Sequence, residues 1–535
     1  MALTKEQYRA FEDVVGPEHI SVDAVILHAY SFRSGLYASP ESFSPLFEAV
    51  VLPSCVEEIQ AIVRLCKRFN LRFKASSTGW GPYNDATSSG VIKIDLRRMN
   101  RILEINEKDM YAVVEPYVIG AQLQAELMKR GFISNLCGAG SNCSALPIAA
   151  HQGIGHLSQS ASYGERNMLA LEWVTPEGEI IRLGSLGHTG EWFSGDGPGP
   201  SLRGIVRGNV VPLGGLGIYT KAATKIYHWP GPKVFPIEGV SPDYAPLTLP
   251  DGFFIGFFSF PSLERLKEAQ RMMGETEIAY ELMGFNASMV ASNIARSNDD
   301  YVRLFDEIKR ETLGPCLLVI IAGNSKRDFE YKREVLWVII GETGGRPIRR
   351  LMDDERLSAS ALWRWIRSTA SIREVFRATG CFGGAVGCTD LFGLMADYID
   401  RLGELKKDLI EKGLILDDET TPFTQSCEHG HFGHAELLIR YRPNPETFRV
   451  LLEEFLPKAN EIAISGHYGV PAHVFGDKAH DLFGPSTSNY HLWLRRIKRA
   501  LDPAGLSESS FYISATEEVT QGGPLKNEEE RRRRR

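Results

Sequence analysis

Between residues 137 and 164 the chain is dominated by Gly, Ser, Ala and Asn, interrupted at intervals by Leu146, Ile148, Ile154 and Leu157. A long run of small residues pinned by apolar ones reads as a loop that wraps a ligand, because a free linker would not be anchored that way. Two further segments share its character: Ser76-Ser77-Thr78-Gly79-Trp80-Gly81 and Leu213-Gly214-Gly215-Leu216-Gly217-Ile218. Small residues let main-chain N–H groups approach an anion closely, which is how a dinucleotide diphosphate is held without many lysines. No strand-G-x-G-x-x-G-helix opens the chain and no G-x-x-x-x-G-K-[ST] occurs, which argues against a Rossmann or P-loop site.

The text around these loops is mixed. Ser54-Cys55-Val56-Glu57 reads as a capping box, and Val56, Ile59, Ile62, Val63, Cys66 and Phe69 follow at helical spacing. Strands are expected at 71–75, 91–96, 111–115 and 218–226, a helix at 121–130, and a hairpin from 169–175 and 179–183 around Pro176-Glu177-Gly178. Trp229-Pro230-Gly231-Pro232 marks a boundary. Beyond it, strands at 253–260, 278–285 and 316–322 alternate with helices at 262–273 and 328–342, which predicts a sheet covered on one face. The last expected helix is 491–501.

A chain of 535 residues exceeds one ordinary hydrophobic core, so two or three packed subdomains are expected. The net charge of -7 gives no footprint for a nucleic-acid partner. The basic block Arg531–Arg535, preceded by three glutamates, reads as a solvated tail. The opening is too polar for a secretory signal, and the longest apolar runs fall short of the roughly 20 residues a bilayer requires. A cytoplasmic protein without a transmembrane segment is the expectation. Eight cysteines with no C-x-x-C pair read as reduced thiols, not as ligands of an iron–sulfur cluster.

With these loops and strands in this order, the chain resembles the vanillyl-alcohol-oxidase/p-cresol-methylhydroxylase superfamily of FAD flavoproteins. The branch with D-lactate dehydrogenase, glycolate oxidase and D-2-hydroxyglutarate dehydrogenase is the nearest in character. The likeness runs from Ala49 to Leu506 and is clearest at 50–69, at 94–102 (Ile-Asp-Leu-Arg-Arg-Met-Asn-Arg-Ile), at 213–227 and at 497–506. It implies an α+β fold: an FAD-binding domain of two α/β subdomains at 1–230, an α/β ferredoxin-like cap at 231–455, a return segment at 456–513, and a disordered tail at 514–535. It also implies cofactor contacts. Ser76, Ser77, Thr78, Gly79, Trp80 and Gly81 form the first phosphate loop, and Pro116 follows the strand that approaches the ring. Gly140, Ser141, Ser144 and Ala145 form the second loop, with Ser144-Ala145 where a Gly-Gly is expected. Gly153 and Gly155 lie near the isoalloxazine, and Gly217 and Ile218 bring backbone to it. The first loop has no histidine, so the covalent linkage some relatives make there is not expected; His151 and His156 on the second loop remain candidates to approach the ring.

Histidines are unevenly spread. Three fall in Glu428-His429-Gly430-His431-Phe432-Gly433-His434-Ala435-Glu436, and another in Ser465-Gly466-His467-Tyr468-Gly469. Imidazole serves metal ligation and proton abstraction near neutral pH, and His429 and His431 alternate as residues on one strand face do. The resembled branch has H-x-G-D-G-N-x-H and S-G-E-H-G segments, which hold a divalent metal and a catalytic histidine. Here His434, Ala435 and Glu436 replace Asp, Gly and Asn, Leu438 replaces the second ligand histidine, and His467 and Tyr468 replace Glu and His. Two alternatives follow. Either His431 and His467, joined by His429, His434 or Glu436, rebuild a metal site suited to zinc or iron, or no metal binds and Tyr468 or His467 takes the substrate proton, with His429 and His431 as further catalytic candidates. The resemblance places Arg364, Arg367, Arg373 and Arg377 where a substrate carboxylate is gripped.

The function expected is hydride transfer from an alcohol or 2-hydroxy acid carbon to flavin N5. The alternatives are a phenol-type oxidase or hydroxylase, and an FAD-binding electron-transfer subunit of a larger complex. A small-molecule substrate, an electron-acceptor protein and a homo-oligomer are the expected partners.

Overall fold

The computed structural model describes residues 3–31, 45–79, 84–86, 88–136, 138, 140–151, 155, 157–192, 202–208, 211–240, 245–367, 378–471 and 474–516, with backbone alone at 203, 245, 367 and 381–389. Helices and strands are mixed through the chain, as an α+β fold requires. Three sheets organise it. The first joins β1 (Ile20–Ser21), β2 (Ala49–Val51), β3 (Arg72–Ser76) and β4 (Val91–Asp95) in the order β1-β2-β4-β3, with β2 and β3 parallel to β4. The second is antiparallel: β5 (Ile102–Asn106), β6 (Tyr111–Val114), β8 (Met168–Val174), β9 (Ile180–Leu183) and β10 (Ile218–Lys225), in the order β5-β6-β10-β8-β9. Small pairs join β7 (Phe132–Ile133) to β11 (Tyr227–His228), and β12 (Ile237–Glu238) to β13 (Ala245–Pro246).

The crossover from β2 to β3 is the helix Val56–Phe69. Its Ile59, Ile62, Val63 and Cys66 are fully buried in one cluster with Ile92 and Ile94 of β4, and each buried aliphatic side chain contributes about 1.5–3 kcal/mol. The capping arrangement is shifted by one residue from the expectation. Cys55 is the N-cap, and its side chain does not cap the helix's backbone N–H groups. Ser54 precedes it, and its N–H and Oγ donate to Glu58 at 2.7 and 2.9 Å.

The third sheet contains β14 (Phe253–Ser259), β15 (Glu281–Phe285), β16 (Cys316–Ala322), β17 (Arg346–Pro347), β18 (Cys381–Asp390), β19 (Phe423–Cys427) and β20 (Phe432–Tyr441), in the order β17-β14-β16-β15-β19-β20-β18. The expectation of helices on one face is corrected: both faces are covered. Leu317, Val319 and Ile321 pack under the helices Leu263–Glu275 and Lys326–Glu342. Leu318 and Ile320, on the opposite face, pack with Val290, Tyr301 and Leu362 from three other helices. The unbroken apolar run of β16, Cys-Leu-Leu-Val-Ile-Ile-Ala, carried that information, because alternation disappears when both faces are dry.

The same second face meets the N-terminal half. Met128, Ile133, Leu157, Ala161 and Trp229 belong to its core. The C-terminal return starts later than residue 456. Ala459, Ala463 and Phe483 still pack with Leu437 and Ile439 of the third sheet. From the helix Tyr490–Leu501 onward the chain packs on the second sheet, where Tyr512 and Ile513 join Leu171 and Ala222. Leu506 and Glu508 then hydrogen-bond to the two sides of Phe73 at the edge of β3. Ser514 and Thr516 are tied down as well, their carbonyls accepting from Arg495. Among the described residues no helix is long and apolar enough to cross a membrane.

Candidate functional site

The three small-residue segments converge. A cavity of about 200 Å³ is walled by Ser76, Ser77, Thr78 and Gly79 at the end of β3, by Pro116 after β6, by Ser144 and His151 beside the helix Ala145–Ala150, and by Gly214, Gly217 and Ile218 at the entry to β10. Leu146, Ile148, Val211 and Leu216 supply an apolar part of the wall, and among the described residues no carboxylate stands on it. Ser144 Oγ reaches Thr78 Oγ1 at 3.3 Å, joining the first two loops.

The third loop tolerates no side chain at its key position. Gly217 has φ +92°, and a Cβ there would lie 2.2 Å from the Val174 carbonyl oxygen. Its N–H donates to Ser507 Oγ at 2.8 Å, so the returning C-terminal segment holds this turn. Lys498 reinforces it, donating to Gly215 O at 2.7 Å and Ser507 O at 3.0 Å while paired with Asp502.

Two lysines behind the loops were missed at the level of sequence. Lys74 of β3 and Lys93 of β4 are register partners and both are buried. Lys74 Nζ donates to Leu213 O at 2.9 Å and lies 3.3 Å from Glu508. Burial lowers the Lys74 ammonium below its ordinary range, against the pull of Glu508. Burial, with Lys74 nearby, brings Lys93 down to about 7. The available signal was a lysine set between apolar residues in a strand, as in Val91-Ile92-Lys93-Ile94.

Gly140, Ser141, Ala145 and Gly155 are not on this wall. Ser141 O and Cys143 O accept from Ala121 N and Gly120 N, so the 140–143 turn caps the helix Gly120–Lys129. Gly155 faces the third sheet instead: its carbonyl accepts from Gln425 Nε2 of β19 at 2.9 Å. Trp80, Gly81, Gly153, His156, Arg373 and Arg377 lie outside the described residues, as does the side chain of Arg367.

Gln425 opens onto a second polar group, at the seam between the third sheet and the N-terminal half. Its amide also donates to Glu281 Oε1 at 3.2 Å, and Glu281 accepts the Leu282 N–H at 2.7 Å. Glu281 is wholly buried, and that burial pushes its carboxyl up to about 8. On β20, His434 is buried and bonded on both sides: Nε2 lies 2.9 Å from Glu436 Oε1, and Nδ1 3.4 Å from the Tyr163 hydroxyl. Tyr163 stacks on the His434 ring and meets Phe432 edge-on. Arg166 bonds to Glu428 at 2.7 Å and covers Phe432, which fastens the turn before β20 to the N-terminal half.

The histidines expected to act are therefore sorted by the fold. His429 and His431 do not share a strand face. His429 sits in a 3-10 turn, Glu428–Gly430, with φ +55°, and β20 starts only at Phe432. His431 and His467 are exposed. Tyr468 stacks on Tyr398 and packs with the core on the other side of the third sheet from His434. Among the described residues no three His, Cys, Asp or Glu side chains are grouped as metal ligands, so the expected metal site at His431 and His467 has no such group to support it.

A diphosphate carrying an apolar ring system suits the cavity: small hydroxyl-bearing loops, an aliphatic wall and, among the described residues, no opposing carboxylate. The comparisons agree. Residues 47–184 match the family model described as FAD binding domain. The chain is 30% identical over 182 residues to 1'-carboxy-chondrochloren decarboxylase of Chondromyces crocatus, a match covering 33% of this chain and only 32% of that relative. It is 22% identical over 521 residues to a probable mitochondrial D-lactate dehydrogenase of Danio rerio, covering 96% of this chain and 92% of the relative. In fold it is similar to p-cresol methylhydroxylase solved with substrate bound: TM-score 0.69 at 15% identity, covering 95% of this chain and 98% of that one. The match defines an FAD-binding domain at residues 47–184. The fold around it is similar to that of p-cresol methylhydroxylase.

Proposed function

We propose that this chain is a dehydrogenase that takes hydride from a hydroxyl-bearing carbon, in an alcohol or a 2-hydroxy acid. The observation that carries the reading is the convergence of three separated small-residue segments on one cavity with no carboxylate among its described lining residues. The full-length likeness to the Danio rerio protein points to hydroxy acids. In this reading Ser76–Gly79, Pro116, Ser144, Gly217 and Ile218 hold FAD. Bound there, the flavin supplies the two-electron acceptor, and the protein supplies binding and orientation.

The proton of the substrate hydroxyl needs its own acceptor. Tyr163, His434 and Glu436 are the set we assign to it, in place of His429, His431, His467 and Tyr468. A phenol beside imidazole can pass its proton to that ring, and Glu436 then stabilises the imidazolium. The seam around His434 keeps water out, which strengthens both interactions.

The test is anaerobic mixing of the yellow protein with three donor groups: 2-hydroxy acids, 4-alkylphenols, and a reduced electron-carrier protein. Bleaching by 2-hydroxy acids is the expected result. Bleaching by 4-alkylphenols alone would assign the phenol reaction instead, and bleaching by the carrier alone an electron-transfer subunit.

A further inference from the structure

The third loop of the first cavity turns where a leucine resists turning. Gly215 N–H donates to Pro212 O at 2.7 Å, which closes a four-residue turn around Leu213 and Gly214. Both central residues have positive φ, +47° at Leu213 and +84° at Gly214. That is the mark of a mirror-image turn. Glycine takes this backbone freely and leucine does not, so the surroundings must hold Leu213 there.

Lys74 supplies the hold. It is buried, it is not among the residues that line the cavity, and it stands behind Gly214, where an added Cβ would lie 3.6 Å from Nζ. Nζ donates to Leu213 O at 2.9 Å and lies 3.3 Å from Glu508 Oε2 of the return segment. Leu213 and Gly214 themselves line the cavity. A trans peptide directs its N–H opposite to its C=O. With the Leu213 carbonyl drawn back onto the ammonium, the Gly214 N–H is turned the other way, to the cavity side. Gly214 accepts either sign of φ, so this middle peptide is the one able to flip, into the sibling turn with positive φ at Leu213 alone. The flip would face the carbonyl oxygen into the cavity, where it would repel an anion. Lys93, the register partner of Lys74, holds another lining residue in the same manner, donating to Asn84 O at 2.6 Å.

We propose that Lys74 is a positioning residue for anion binding at this cavity: paired with Glu508, it fixes the Leu213–Gly214 peptide so that the Gly214 N–H donates to the diphosphate of the dinucleotide. The proposal rests on the reading that the cavity takes FAD. Two residues beyond Lys74, β3 ends at Ser76 and the first small-residue loop starts, so that loop and the Gly214 N–H close on the same part of the ligand.

The experiment is hydrogen–deuterium exchange of the full-length protein, freed of bound flavin and read at single amides, with FAD or with riboflavin, which lacks the diphosphate. FAD uptake is measured first. In the parent, FAD is expected to slow exchange at Gly214 about tenfold or more, and riboflavin not at all. Lys74→Met/Glu508→Met removes both charges together and leaves no lone buried one. It is expected to weaken FAD about tenfold or more and to lose the protection at Gly214, while Gly217, whose N–H is held by Ser507, keeps its slow exchange. FAD that binds the parent without slowing Gly214 overturns the proposal and leaves the flavin reading standing. So does equal slowing by riboflavin, or a double variant with the parent's affinity for FAD. A parent that takes up no FAD overturns the flavin reading and this proposal with it. Should the double variant fail to fold, the two parent measurements decide.

Discussion

The two polar regions on either side of the domain seam are built on opposite principles. The flavin cavity works through backbone: its walls are serines, glycines and short aliphatics, and its key turn excludes even a methyl group at Gly217. The seam on the third sheet works through side chains: Glu281, Gln425, His434, Glu436 and Tyr163 meet by named hydrogen bonds from four separate segments. The first region should therefore be sensitive to added atoms and forgiving of removed ones. The second should show the reverse.

The largest effect expected is at the turn of the third loop. Gly217→Ala combines a left-handed backbone with a Cβ 2.2 Å from a carbonyl oxygen, and should destabilise by on the order of 3 kcal/mol or more, with loss of bound flavin. Urea unfolding and flavin absorbance check it; a yellow variant of parent stability would break the contrast. Next comes the histidine cluster. His434→Gln should slow flavin reduction by about 100-fold or more with flavin content kept, whereas the exposed His431→Ala should stay within about twofold of the parent. Stopped-flow reduction rates decide between them, and the opposite order would return the role to His431.

In the side-chain region a pH effect is expected from Glu281. The Glu281 carboxyl is raised by burial from 4.5 to about 8 in the folded protein, so the folded state holds this proton more tightly than the unfolded one. Its contribution to stability is fully present below about 4.5 and is lost as pH rises through about 8. Glu281→Gln keeps the hydrogen-bonding shape and should flatten that fall in a series of denaturant titrations; an unchanged slope would remove Glu281 as its source. The smallest effect is at Ser144→Ala, which deletes one 3.3 Å hydroxyl contact in the backbone region and should weaken FAD by about 1 kcal/mol or less in a fluorescence titration.

The same contrast explains what the sequence disclosed. The loops that wall the first cavity are local runs of small residues, so Ser76–Gly79, Ser144 and Gly217 stand out one segment at a time. The helix Val56–Phe69 was legible for a similar reason, since its periodicity is local. The seam was not legible, because Glu281, Gln425 and His434 come from strands whose order β15-β19-β20 skips large tracts of chain. His434 drew less weight than His431 because a single residue of register decides which side chain faces inward, and the turn at Glu428–Gly430 ends just before β20. Gly155 was expected beside the isoalloxazine; it does not line the cavity, and its carbonyl accepts from Gln425 of the third sheet.

The most direct measurement is FAD stoichiometry of the purified protein beside Gly217→Ala, after incubation of both with excess FAD and gel filtration. The parent should retain close to one flavin per chain and the variant almost none. A parent that leaves the column colourless would mean that the loops of small residues do not meet around a flavin at all.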